Sequence, residues 1–81
     1  MNVAETAALG AAAKQALDVL DPALDAVRAA IVRRMIATSP ADTASILGLH
    51  AAIQSTDAIR QMIGEYIANG QIAEYHLSAE A

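Results

Sequence analysis

Two proline marks constrain this chain more than anything else in it. Asp21-Pro22 and Ser39-Pro40-Ala41-Asp42 each put a side chain able to cap a helix close to a proline. Proline tolerates the first helical position because no amide hydrogen is needed there. Read this way, the marks cut the chain into an N-terminal helix over about 2–20, a second helix over about 22–37, a tight turn, and a third helix over about 40–69. The expected fold is all-α: an antiparallel helical hairpin of the second and third helices, with an additional N-terminal helix.

The hydrophobic spacing fills in that frame. Asn2 and Glu5 have the spacing of a capping box, and Leu9, Ala13, Leu17 and Leu20 follow at helical intervals. Gly10 and the surrounding alanines predict a loosely held first segment. In the second helix, Leu24, Val27, Ile31 and Met35 form one stripe, with acids at its start and Arg33 and Arg34 at its end, as the helix dipole favours. Thr38-Ser39 leaves room only for an antiparallel return. Ile46, Leu49 and Ile53 of the third helix are expected to close the hairpin on that stripe. Gln54-Ser55-Thr56-Asp57 interrupts the third helix with polar residues, and Ser55 or Thr56 could cap a new helix there. The favoured reading is one continuous helix, because no glycine or proline enforces a break. Asn69-Gly70 reads as a left-handed stop, with the tail 71–81 forming one more turn or fraying.

An 81-residue chain makes a single small domain over 1–81, and at this length partners or self-association often complete the core. The composition sharpens that expectation. The chain has no Phe or Trp and two Tyr, and alanine, the best helix former, buries little area. The third helix is apolar on more than one stripe, which implies more than one neighbour. Ile59, Met62, Ile63 and Tyr66 are the expected interface residues, and a homo-oligomer is the expected state. A net charge of −4 disfavours binding to nucleic acid or an anionic membrane surface. No apolar run reaches the roughly 18 residues of a membrane span, and Met1-Asn2-Val3-Ala4-Glu5 lacks the basic start of a signal peptide.

No constellation for catalysis emerges. His50 has Ile46, Leu47, Ile53 and Gln54 at the positions one turn away, so it has no acid or second histidine to work with. Glu74-Tyr75-His76 are adjacent, and adjacent residues on a helix point apart. With no cysteine, thiolate sites are excluded; the glycines are scattered singly, and no serine lies in an elbow motif. The expectation is a non-enzyme with no cofactor and no metal. Arg28, Arg33 and Arg34 form the basic cluster of the chain, read as a solvated face or as a candidate docking patch for an acidic partner.

Three stretches carry a resemblance: Ile36-Ala37-Thr38-Ser39-Pro40-Ala41-Asp42-Thr43, then Leu49-His50-Ala51-Ala52-Ile53, then Asn69-Gly70-Gln71-Ile72-Ala73-Glu74. In these the chain resembles small tailed-bacteriophage proteins of unassigned role, in which an arginine-bearing helix leads into a Thr-x-Pro-x-Asp-Thr turn and a long helix. Thr38, Pro40, Asp42 and Thr43 match that turn; the aromatic usual before it in the family is replaced here by Met35 or Ile36. The resemblance implies a helical hairpin encoded near virion genes, with other virion proteins as partners and the virion or the host cytoplasm as its location. The leading reading is therefore a small capsid-, portal- or tail-associated structural protein. One alternative is a phage inhibitor that binds a host defence protein or a signalling ligand. The other is a helix-turn-helix regulator, in which residues 55–63 would read DNA after a turn at Gln54-Ser55.

Overall fold

A computed structural model describes residues 1–80. It contains two helices, α1 (Val3–Ala37) and α2 (Thr43–Glu80), folded back on each other as an antiparallel hairpin 61 Å long and 20 by 14 Å across. The all-α hairpin is as expected, but the additional N-terminal helix is not a separate element. It is the first half of α1, which runs through Pro22 without a break.

Pro22 therefore lies inside a helix, and Asp21 does not cap one. The ring removes the amide that would bond to the carbonyl of Asp18. Pro22 is exposed, on the side of α1 turned away from α2, so water can reach the orphaned carbonyl. The apolar seam meanwhile continues on both sides of it, through Leu17 and Leu24, and packing along α2 holds the helix through the local defect.

The N-terminus of α1 is capped as the spacing predicts. Glu5 N–H donates to Asn2 Oδ1 at 2.7 Å, and Asn2 Nδ2 donates to Glu5 Oε1 at 3.0 Å. At the other end, Thr38 N–H donates to the Met35 carbonyl, and the Thr38 hydroxyl donates to the Arg34 carbonyl at 2.7 Å. The second proline also acts differently from the expectation. Pro40 does not begin a helix; it occupies the second position of a tight turn in which Asp42 N–H donates to the Ser39 carbonyl at 2.9 Å. Asp42 is the residue that caps α2, with Oδ1 accepting from Ser45 N–H at 3.2 Å. These hydrogen bonds from the Ser45 side chain and backbone hold the Asp42 carboxyl below its ordinary value.

Of the expectations about α2, the favoured continuous helix is observed and the stop at Asn69-Gly70 is not. The helix is continuous through Gln54–Asp57, where the Thr56 hydroxyl donates to the Ala52 carbonyl one turn back at 2.9 Å. A side chain that bonds to its own helix satisfies itself without ending the helix. The expected stop at Asn69-Gly70 is absent, and Gly70 has no positive φ. The stretch from 71 onward, expected to form one more turn or fray, is helical to Glu80, and Ala81 lies outside the described residues.

Gly70 serves the packing of the hairpin rather than its termination. A Cβ placed on Gly70 would lie 2.6 Å from the Gly10 Cα, and one placed on Gly10 would lie 2.5 Å from the Gly70 Cα and 2.8 Å from the Tyr66 carbonyl oxygen. The two backbones thus touch where neither residue has a side chain. Counting in sevens from this crossing, Leu17, Leu24 and Ile31 of α1 come opposite Ile63, Thr56 and Leu49 of α2. The seam is thin: its leucines and isoleucines are only half-buried, and among the described residues no side chain is fully enclosed. The most buried residues are small ones, Ala7, Gly10, Thr56, Gly70 and Ala73.

Candidate interaction face

The heptad count divides each helix into the seam and two flanks, and the flanks differ in chemistry. In an antiparallel pair, corresponding flanks of the two helices come out on the same side of the hairpin. One side carries the ion pairs. Arg60 occupies a seam position of α2 and forks between two carboxylates one turn apart on α1: Nε stands 2.9 Å from Asp21 Oδ1, and the terminal Nη2 donates to Asp25 Oδ1 at 2.8 Å. The Nε contact is an ion pair without hydrogen-bond alignment, and Nε is otherwise unpartnered. The same Nη2 lies 3.3 Å from the Asp21 carbonyl, to which it donates. The bond to Asp25 holds the Arg60 guanidinium above its ordinary value, against the opposing effect of desolvation. One turn further on, Arg28 Nε donates to Asp57 Oδ1 at 3.0 Å. Lys14, Asp18, Gln71 and Glu74 line a shallow groove on this same side, beside the glycine crossing.

The opposite side is largely apolar until it nears the turn, where Arg34 and Ser45 continue the same rows. From α1 it takes Leu9, Ala13, Ala16, Leu20, Ala23, Val27 and Ala30; from α2, Ala52, Ser55, Ile59, Met62, Tyr66, Asn69 and Ala73. Between Thr6 and Ala30, and between Ala52 and Ala73, none of these positions is charged. Its larger members stand open to solvent: Leu20 is 41 % exposed, Val27 50 %, Ile59 49 %, Met62 55 % and Tyr66 44 %. A groove lined by Val3, Thr6, Ile72, Ala73 and His76 marks the same side next to the glycine crossing. Other exposed apolar side chains, such as Val19, Ile36 and Leu47, are scattered singly over the outer surfaces.

The expected interface set is therefore split by the structure. Ile59, Met62 and Tyr66 form one exposed ridge, whereas Ile63 is half-buried in the seam against α1. Of the expected hairpin core, Leu24, Ile31, Met35, Ile46, Leu49 and Ile53 are half-buried, while Val27 lies on the open apolar face. The seam turns past Val27 because Arg28, the next residue, takes the place facing α2 and pairs with Asp57. The three arginines do not form one patch. Arg28 is committed to α2, and Arg33 and Arg34 are exposed near the turn without an ion pair among the described residues.

Sequence reasoning did not find the α1 half of the apolar face, because its alanines carry no weight as anchors. The available signal was the uncharged run at alternating three- and four-residue steps from Leu9 to Ala30. His50 is exposed, and Tyr75 and His76 meet edge to face with ring centres 6.0 Å apart. Among the described residues there is no cluster of His, Cys, Asp and Glu suited to a metal ion, and no helix is long and apolar enough to cross a membrane. The helix-turn-helix reading needs a turn at Gln54-Ser55, where α2 is uninterrupted, and needs Arg60 on the surface, where instead it is bound to Asp21 and Asp25. Compared with protein-family models, curated proteins and solved structures, the chain matches none.

Proposed function

We propose that this chain is a non-enzymatic helical assembly module, a small structural or accessory component of a tailed-bacteriophage virion that acts through helix–helix contacts in several copies. One observation carries the reading: the hairpin gathers its ion pairs on one side and leaves an apolar face, uncharged from Thr6 to Ala30 and from Ala52 to Ala73, open on the other. A contiguous apolar face of this kind is the mark of an interaction surface rather than of a finished monomer. Its alanines favour close helix packing, which suits a helical partner. The virion setting rests on the resemblance of the turn at Thr38, Pro40, Asp42 and Thr43 to phage hairpin proteins.

Light scattering behind size exclusion, over a range of protein concentrations, tests the assembly reading. The expected result is a discrete oligomer for the wild type and a helical monomer for the double variant Ile59→Asp/Met62→Asp. A wild type that stays monomeric throughout would defeat it. Mass spectrometry of purified particles tests the setting, with the chain expected in stoichiometric amount; its absence from particles together with recovery on a host protein would favour the inhibitor reading instead.

A further inference from the structure

We infer that the apolar face is covered by a second copy of this chain, stacked face to face with its turn at the opposite end, so that two hairpins make one antiparallel four-helix bundle. The inference rests on the assembly reading above and deepens it, naming the partner, the surface and the orientation.

The area argues for a partner of this size. The chain exposes 5667 Å². A compact monomer of 8.4 kDa is expected to expose roughly 4,600 Å². The excess, about 1,000 Å², is close to the roughly 800 Å² that each partner contributes to an interface of standard size. Charge argues for a copy rather than a foreign chain of opposite sign. A two-fold interface must be complementary to itself, and a face without charges between Thr6 and Ala30, and between Ala52 and Ala73, meets that condition without setting like charges together.

The orientation follows from how bulk is distributed along the face. On α2 the larger side chains, Ile59, Met62 and Tyr66, lie from the middle toward the open end, whereas Ala52 and Ser55 lie toward the turn. If both turns were at the same end, this large half would meet the Leu9–Leu20 half of α1. The small half of α2, Ala52 and Ser55, would then meet Ala23, Val27 and Ala30, with Val27 the one large side chain at that level, and the bundle would be underpacked near the turns. With the turns at opposite ends, each α2 lies along the other α2 and each α1 along the other α1. Tyr66 then falls against Ser55, Leu9 against Ala30 and Ala13 against Val27, large against small, as close packing requires. Near mid-length, Leu20 meets its own copy at the two-fold axis, and Ile59 of each chain lies against Met62 of the other.

Two measurements test this. First, Leu20→Asp, on the α1 half of the face, should convert the dimer into a monomer of unchanged helicity by circular dichroism, while Ala11→Asp, on the charged side, should leave the dimer intact. Second, the chain has no cysteine, so a single spin label can be placed in the turn through Ala41→Cys. Opposed turns place the two labels roughly 50–60 Å apart, about the length of a 35-residue helix. A label distance of 20 Å or so would overturn the orientation, and a dimer that survives Leu20→Asp would overturn the face while leaving self-assembly standing. If Leu20→Asp proves unfolded, Leu20→Ser with Val27→Ser serves in its place, with the same two outcomes. A wild type that is monomeric at every concentration overturns both this inference and the reading beneath it.

Discussion

Gly10 and Gly70 show how much one hydrogen atom in place of a methyl can decide. Each sits in a helix, where glycine is normally a liability of roughly 1 kcal/mol relative to alanine. At these two positions the liability is outweighed, because a Cβ would strike the opposing backbone at 2.5 or 2.6 Å, and backbone cannot swing aside as a side chain can. Gly64 is the internal control, with nothing within 4 Å of its added Cβ. We expect Gly64→Ala to stabilise the hairpin by about 0.5–1 kcal/mol. Gly10→Ala should destabilise it by about 1–2 kcal/mol, the cost of overpacking less the gain in helix propensity. Urea midpoints at one fixed protein concentration measure both. Equal effects of the same sign would mean that the crossing relaxes freely.

At the level of the helices, the two prolines show what a local signal can and cannot decide. Pro40 was readable as a boundary, and a boundary is there, although the turn places it two residues before the cap at Asp42. Pro22 gave the same local signal, with Asp21 before it, yet α1 runs through. What outweighs the signal is the seam, which needs Leu17 and Leu24 on one continuous surface against α2, and that requirement is nonlocal. Pro22→Ala should therefore stabilise the protein by about 1–3 kcal/mol, since it restores an amide inside a helix that already forms. An increased urea midpoint with an unchanged slope would bear this out; an unchanged midpoint would mean that the backbone has already absorbed the defect. The hairpin, its turn, the capping box and most of the seam were legible because they follow from spacing and caps. The place of Gly70 was not, because Asn-Gly announces a stop and nothing in the local chain reveals that Gly10 lies across from it. The ion-pair side was hidden for the same reason: Arg60 and Asp21 are far apart in sequence and meet only after the register is set.

The molecule as a whole is a rod with too little interior. Its extents of 61 by 20 by 14 Å leave most side chains within reach of water, and the seam alone buries little. If the open face is completed by a second copy, association stabilises the folded hairpin by mass action. The midpoint of thermal unfolding should then rise with protein concentration for the wild type and stay flat for Ile59→Asp/Met62→Asp. A wild-type midpoint independent of concentration would mean that the thin seam suffices. The two devices that align this rod differ in how they treat an error. Arg60 finds carboxylates at both Asp21 and Asp25, one turn apart, so a helix slipped by one turn still satisfies part of that attraction. The glycine contact tolerates no such slip, for it would set Tyr66 or Glu74 where Gly70 lies against Gly10. The hairpin thus proofreads its own alignment by excluded volume, rejecting the misregistered states that its electrostatics alone would tolerate.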